Sequence, residues 1–233
     1  MNAVTPATSR LADRLRRETA GEVLWSAADR GRYATDASIY QVEPVGVLVP
    51  RTAEDVAAAM AICREEGVPV LPRGGGTSQC GQTVNRALVL DCTKHLRKVL
   101  RVEGDTARVE PGITLGALND ALKPTGQFFP VDPSTWARCT IGGMAGNNSC
   151  GSKSIRYGLM ADNVHAVHAI LADGSRHVFG EGTPNTELVS RLYALGEREA
   201  AEIAERFPRQ LRRVGGYNLD ALTPEGRGNL ARL

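Results

Sequence analysis

The chain has 233 residues, of which 42% are hydrophobic and 23% are charged, an ordinary composition for a soluble globular protein. A net charge of +2 gives no sign of a nucleic-acid or membrane-surface partner. No apolar stretch approaches the roughly 20 residues that span a bilayer, and the first residues lack the apolar region of a signal peptide. The length allows one large domain or two small ones.

The five cysteines are scattered along the chain, with no Cys-x-x-Cys pair and no histidine at a metal-ligand spacing. An odd, scattered set argues against a disulfide framework and against a zinc or iron–sulfur site. We therefore expect free thiols, no metal site and a reducing compartment, which we interpret as the cytoplasm.

The first part of the chain predicts a strand, a helix and a second strand in close succession. A helical lead-in over residues 1–35 precedes the apolar run Val45–Val49, which is typical of a buried strand. Thr52 has the position of a helix N-cap, and Gly67 has that of the stop after the helix. A strand over residues 68–71 follows, so the segment after it lies where ligands bind in open α/β sheets.

The second half of the chain predicts short antiparallel strands. Candidates over residues 96–102 and 106–110 flank one turn, and a hairpin over residues 164–179 turns at an Asp-Gly pair. Between them, Thr114 is predicted to cap a short helix.

The end of the chain predicts one long helix and then little regular structure. The apolar positions between Thr186 and Phe207 have the spacing of an amphipathic helix. Residues 215–233 carry few apolar anchors, and we interpret them as a loop or a truncation point.

The run Pro72–Ser78 is the most informative segment of the sequence. Its three consecutive glycines leave the backbone amides as far as Thr77 unshielded by any Cβ atom. Such a loop can curl around an anion, and Thr77 and Ser78 add hydroxyl donors. The pyrophosphate of a nucleotide cofactor suits this chemistry, and a solvent loop that needs positive φ angles is the alternative.

A second glycine cluster covers residues 140–151. It contains four glycines together with Asn147, Asn148 and Ser149, so the backbone can approach another surface closely while side chains offer hydrogen bonds. A flexible surface loop is the alternative interpretation. The apolar neighbours and the stiff, proline-containing segment 128–134 before the cluster favour a loop folded onto a cofactor.

Two common nucleotide motifs do not fit the glycine-rich run. Residues 76–83 nearly match the phosphate-binding P-loop, but Gln82 occupies the position of the essential lysine, and a strand rather than a helix is predicted to follow. The dinucleotide fingerprint fails because Gln79 stands where its third glycine belongs.

The motifs in combination resemble a known family. They occur in the family's order, and they are Pro72–Ser78 with Gln82, Val109–Gly112, Pro130–Pro133, Thr140–Gly151 and Arg156–Gly158. Over residues 36–180 the chain resembles the FAD-binding domain of the vanillyl-alcohol oxidase and p-cresol methylhydroxylase superfamily. Within it, the chain is most similar to the branch that contains glycolate oxidase, D-lactate dehydrogenase and D-2-hydroxyglutarate dehydrogenase.

The resemblance implies an α+β fold in which FAD is clamped between two subdomains. One is a small βαβ subdomain, and the other is larger, with a mainly antiparallel sheet and helices. The expected divisions are a lead-in (1–35), the first FAD-binding subdomain (36–95), the second (96–182), and a C-terminal helix and tail leading toward a missing cap domain (183–233).

The resemblance also implies the cofactor-binding residues. Backbone groups of Gly74, Gly75, Gly76, Thr77 and Ser78 would hold the pyrophosphate of FAD. The remaining candidates are Arg73, Gln82, Pro130, Asp132, Thr140, Gly142, Gly143, Asn147, Gly151, Tyr157 and Val164. Two roles stay open for Arg73, which could counter the pyrophosphate charge or hold loop carbonyls. Because no histidine lies between Arg73 and Gln82, we expect the FAD to be non-covalent.

In the resembled enzymes a flavin accepts hydride from a 2-hydroxy acid such as D-lactate, glycolate or D-2-hydroxyglutarate, while a base takes the hydroxyl proton. The substrate-binding and proton-abstracting residues of that family lie largely in the cap domain, so we expect them beyond Leu233 and name no catalytic residue or electron acceptor. A self-contained FAD-binding electron-transfer subunit without substrate chemistry of its own is the alternative.

Overall fold

A computed structural model describes residues 6–233, with side chains from Ser9 onward. The helices are α1 (Pro6–Glu18), α2 (Ala27–Tyr33), α3 (Ala53–Glu65), α4 (Leu115–Leu122), α5 (Ile141–Gly146), α6 (Ser154–Tyr157), α7 (Glu187–Arg198) and α8 (Ala200–Arg206). The strands are β1 (Glu22–Leu24), β2 (Gly46–Val49), β3 (Val70–Arg73), β4 (Leu88–Asp91), β5 (Val99–Glu103), β6 (Thr106–Val109), β7 (Ala166–Ile170) and β8 (Arg176–Gly180). This mixture of helices and strands confirms the α+β class.

The chain divides into two compact units. Unit 1 contains the residues up to 129 together with 135–144 and 172–174, and unit 2 contains 130–134, 145–171 and 175–233. The predicted boundary between residues 95 and 96 does not separate these units, because unit 1 continues through the β5–β6 pair and α4.

Unit 1 is built on a four-stranded sheet in the order β1-β2-β4-β3. Strands β2, β4 and β3 are parallel, and β1 pairs with β2 in the antiparallel sense. The expected βαβ unit is present, with β4 inserted between its two strands. The predicted lead-in contains the helices α1 and α2, but residues 22–24 form the edge strand β1, which was not predicted. The first five residues of the lead-in lie outside the described part of the chain.

Helix α3 begins and ends as its sequence predicts. The hydroxyl of Thr52 accepts a hydrogen bond from the Asp55 amide at 3.2 Å. Gly67 ends the helix at a φ of +66°, which lets the Val68 amide donate to the Cys63 carbonyl at 2.8 Å. This helix packs with α1 over the sheet, where Leu11 and Leu15 of α1 are completely buried.

The antiparallel strands predicted in the second half of the chain are present as local hairpins. Strands β5 and β6 make one two-stranded ladder in unit 1, and β7 and β8 make another in unit 2. Each ladder joins strands that are neighbours in the sequence, so its pairing follows from the turn between them.

The structure changes two details predicted for the end of the chain. The helix predicted from Thr186 to Phe207 is interrupted at Glu199, where the backbone leaves helical geometry and α7 gives way to α8. The tail is anchored rather than loose, because Leu222 and Leu230 are buried and share a core with Val189 of α7. These leucines lie in short 3₁₀ turns, which have no helical or strand periodicity to read.

No helix among residues 6–233 combines the length and the apolar character needed to cross a bilayer.

Candidate cofactor site

The glycine loop, Gly74–Ser78, follows directly after β3 in unit 1. The five amides of this loop donate to no protein acceptor among residues 6–233. None of the five residues is buried, so their amides face solvent at the end of a parallel strand and are available to a ligand. An anion with several oxygens suits such a row of N–H groups.

Each of the three glycines is required by its surroundings. A Cβ atom on Gly74 would collide with the hydroxyl of Thr140, and one on Gly75 would collide with the carbonyl oxygen of Arg138. Gly76 has a φ of +64°, and its Cβ would lie 2.7 Å from Nη2 of Arg73. The backbone of the loop therefore lies against the start of the second glycine cluster, within unit 1.

Thr140 connects the two glycine-rich segments. It is 1% exposed, and its hydroxyl accepts a hydrogen bond from the Gly143 amide at 3.3 Å. Its carbonyl accepts one from Met144 at 2.8 Å, which starts α5. Gly142 lies against Pro111, whose Cβ would be 2.6 Å from an added Cβ. Thr140, Gly142 and Gly143 are thus brought next to the glycine loop.

The side chain of Arg73 points at backbone carbonyls. Its Nη1 donates to the carbonyls of Tyr33 and Thr83, both at 3.1 Å, and its Nη2 donates to that of Thr35 at 2.7 Å. Of the two roles that the sequence left open, this geometry favours the second, in which Arg73 holds the loop.

Ser78 and Gln82 interact inside the same connection. The hydroxyl of Ser78 donates to Oε1 of Gln82, while Thr77 is only partly buried. The P-loop alternative also fails in the structure, since the segment that follows Gln82 leads into β4 without a helix.

In unit 2, Asp132 and Gly151 are brought together. The Asp132 carboxylate accepts hydrogen bonds from the Lys153 amide at 2.9 Å and from the Ser152 hydroxyl at 2.8 Å. An added Cβ on Gly151 would collide with the carbonyl and carboxylate oxygens of Asp132. Burial raises the pKa of Asp132, but these hydrogen bonds outweigh it, so the pKa lies below its ordinary value. We call residues 151–153 the Asp132 turn.

The other predicted residues of unit 2 lie around local hydrogen bonds. The Asn147 amide donates to the Ser149 hydroxyl at 3.2 Å. The Tyr157 carbonyl accepts a hydrogen bond from Asn163, and the Val164 carbonyl accepts one from Asn229, both at 2.8 Å. Pro130 is partly buried at the start of the segment 130–134. These contacts account for the backbone positions and assign no ligand role to any of these side chains.

Sequence reasoning missed the residues that hold the glycine loop from outside. Tyr33, Thr35 and Asp36 lie about 40 residues before the loop, and Thr83 lies after it. Three of the contacts are made by backbone carbonyls, which every residue has, so the sequence does not indicate them.

Residues 44–180 match a family described as FAD binding domain. The chain belongs to this FAD-binding family. The match covers the glycine loop, Thr140, the Asp132 turn and Val164, so every residue predicted for cofactor binding lies inside it.

Relatives and solved structures agree with the family. D-2-hydroxyglutarate dehydrogenase of Pantoea ananatis (strain AJ13355) is 33% identical over 216 residues, which are 85% of this chain and 21% of that protein. Glycolate oxidase subunit GlcD of Bacillus subtilis (strain 168) is 37% identical over 154 residues, 64% of this chain and 33% of that one. A structure of alkyldihydroxyacetonephosphate synthase has a TM-score of 0.68 at 20% identity over 77% of this chain and 36% of that one.

A structure of p-cresol methylhydroxylase has the same fold, with a TM-score of 0.60 at 18% identity over 79% of this chain and 38% of that one. The family match confirms the resemblance to an FAD-binding domain. The chain spans about a fifth of the first of these relatives and a third of the second.

The glycine loop fits the cofactor of this FAD-binding family. FAD carries a pyrophosphate, and the loop offers open amides where a side chain on any of its three glycines would not fit. When bound, FAD supplies hydride acceptance, and the protein supplies its position. Among the described residues, no group of three His, Cys, Asp or Glu side chains could hold a metal ion.

Proposed function

We propose that this chain is the FAD-holding part of a longer oxidoreductase that oxidises a 2-hydroxy acid by hydride transfer to the flavin. The family supplies the cofactor, and two relatives that align over most of the chain are named for D-2-hydroxyglutarate and glycolate. The electron acceptor and the residues that bind the hydroxy acid are not part of the proposal.

The observation that carries the proposal is the glycine loop. Its amides are open, and its glycines lie too close to Thr140, Arg138 and Arg73 to accept side chains. We infer that the amides of Gly74–Ser78 bind the pyrophosphate of FAD. Thr140, Gly142 and Gly143 would support this part of the cofactor, because they lie beside the loop in unit 1.

The remaining predicted residues belong to the proposal as candidates for the rest of the FAD site. Those of unit 2 are Pro130, Asp132, Asn147, Gly151, Tyr157 and Val164. In unit 1, Gln82 would act through its hydrogen bond with Ser78. The FAD is proposed to be non-covalent, and the five free cysteines support a reducing compartment such as the cytoplasm.

The first test is the identity of the bound cofactor. Protein purified or reconstituted with FAD should show flavin absorbance bands and release intact FAD on denaturation, as identified by mass. A protein that cannot be loaded with FAD, or one that binds ATP instead, contradicts the assignment. Flavin that stays attached after denaturation contradicts the non-covalent part.

The second test is the substitution Gly75→Ala. The new Cβ overlaps the Arg138 carbonyl, so the loop must shift away from its present position. We expect the Kd for FAD to rise about tenfold or more, since a backbone displacement of this kind costs about 1–3 kcal/mol. Gly31→Ala is the matched control, because a Cβ at Gly31 meets nothing within 4 Å. An unchanged Kd in Gly75→Ala would remove this loop from the FAD site.

A further inference from the structure

The guanidinium of Arg73 is held by three hydrogen bonds and by contacts with Tyr33 and Gly76. Its three hydrogen bonds join the end of α2, at Tyr33 and Thr35, to Thr83 beyond the glycine loop. The ring of Tyr33 covers it with its centroid 5.4 Å from Cζ. The backbone of Gly76 lies on it as well, because a Cβ there would be 3.3 Å from Cζ. A planar group fixed by these contacts has no freedom to follow a ligand.

A second set of contacts starts from Asp36. Its carboxylate accepts hydrogen bonds from the Thr83 hydroxyl and the Ser38 amide, both at 2.8 Å. The next residue, Ala37, donates its amide to the Gly76 carbonyl at 3.1 Å. The segment after α2 is therefore attached to the middle of the glycine loop and to the residue beyond it. We call Arg73 and Asp36, with these bonds, the loop clasp.

The charge of Arg73 is balanced inside the clasp. Burial lowers the pKa of Arg73, and the carboxylates of Asp36 and Asp91 act against that shift. Asp91 is itself fixed, since it accepts a hydrogen bond from the Tyr33 hydroxyl at 2.7 Å. A cation with two carboxylates nearby contributes little net field to an anion outside.

We propose that Arg73 and Asp36 are positioning residues, which shape the glycine loop for the pyrophosphate through the loop clasp, and that Arg73 is not the charge partner of the cofactor. The inference rests on the proposed function of the loop as an FAD site. Arg73 is the residue that supplies most of the clasp, because a guanidinium can donate to several carbonyls in one plane.

Substitutions at Arg73 distinguish its hydrogen bonds to the loop from its positive charge. Lysine keeps the positive charge but cannot reproduce three carbonyl bonds in a plane, whereas glutamine loses both. We expect Arg73→Lys and Arg73→Gln to raise the Kd for FAD by similar factors of about tenfold or more. The control is Arg86→Gln, an exposed arginine of the same connection, which should leave the Kd unchanged. If Arg73→Lys binds FAD like the wild type while Arg73→Gln does not, the proposal is overturned.

For the substitution Asp36→Ala, a charge role and a positioning role of Arg73 predict opposite changes in the affinity for FAD. If charge near the pyrophosphate decides affinity, removing a carboxylate should strengthen FAD binding. If the loop clasp decides it, losing the bonds to Thr83 and Ser38 should weaken FAD binding, by about threefold to tenfold. Tighter binding in Asp36→Ala would overturn the proposal.

Amide hydrogen exchange tests the loop clasp without FAD. In protein freed of cofactor, we expect the Ala37 amide, which donates to the Gly76 carbonyl, to exchange about tenfold faster in Arg73→Lys than in the wild type, with β4 unchanged. Equal exchange at Ala37, or faster exchange throughout the sheet, would overturn the positioning role. Failure of the wild-type protein to bind FAD would instead overturn the proposed function. The hydrogen-exchange rates would still show whether Arg73 holds the loop in place.

Discussion

The glycine loop and the Asp132 turn both contain closely packed glycines, but their polar groups have different hydrogen-bond partners. In both, a glycine lies where a Cβ would strike another backbone or a fixed side chain. In the glycine loop, the close approach leaves a row of amides without protein acceptors among residues 6–233. In the Asp132 turn, the nearby amide and hydroxyl donate to the Asp132 carboxylate, so the polar groups satisfy one another.

The difference teaches how to separate a binding loop from a structural one when both are rich in glycine. Close packing around the glycines is common to the two regions and therefore does not distinguish them. The backbone donors do distinguish them, because the solvent-facing amides of the glycine loop have no backbone acceptor among residues 6–233 and can donate to a ligand. On this criterion the glycine loop is the segment that we propose for the pyrophosphate, whereas the polar groups of the Asp132 turn bind the Asp132 carboxylate.

The largest effect that we expect is on stability, in the Asp132 turn. Gly151→Ala places a methyl group against the backbone carbonyl and carboxylate of Asp132, which cannot both move away. We expect a loss of about 3 kcal/mol in the free energy of unfolding, measured by denaturant titration. Gly146→Ala is the control, because a Cβ there meets nothing within 4 Å. A stable Gly151→Ala variant would mean that the turn is loosely packed.

The next effect concerns the contact between Gly74 and Thr140. Gly74→Ala should cost about 1–3 kcal/mol of stability, because its Cβ strikes the Thr140 hydroxyl. In a Thr140→Ala background this hydroxyl is gone, and the nearest remaining Thr140 atom, Cβ, is 3.4 Å away. A double-mutant cycle should therefore show a favourable coupling of about 1 kcal/mol. Strictly additive changes would contradict the close approach of the two glycine segments.

The smallest effect that we expect is on the pH dependence of stability, to which the Asp132 carboxylate contributes. Its pKa in the folded protein is lowered, so its contribution to stability is complete above its ordinary pKa of about 4 and is lost as the pH falls through the folded value. Asp132→Asn lacks this contribution. The difference in Tm between wild type and Asp132→Asn should narrow from about pH 6 to about pH 3. A difference that stays constant over this range would mean that the carboxylate charge does not matter to the turn.

Local features were the most predictable from the sequence. Thr52, Gly67 and Thr114 act at the helix ends where their side chains or backbone freedom suit those positions. The turn at Asp173-Gly174 was predictable for the same reason, as Gly174 has a φ of +86°. These positions need only a few neighbouring residues, so their signals are contained in a short stretch of chain.

Long-range features were predicted less well. The interruption at Glu199 was missed because the apolar spacing continues across it. The burial of Leu222 and Leu230 depends on α7, which lies far away in the sequence. The role of Arg73 was left open for the same reason, since two of its partners are carbonyls of Tyr33 and Thr35.

The sequence by itself determined that this protein carries two glycine-rich segments in a family order, and from this order followed the α+β class and the FAD cofactor. Only the tertiary structure decided that Gly74 and Gly75 lie against Arg138 and Thr140, and that Arg73 holds carbonyls. The physical reason is that a glycine permits another segment to pack closely against the backbone, but the sequence does not indicate which segment this is. A backbone carbonyl, in turn, accepts a hydrogen bond whatever residue carries it.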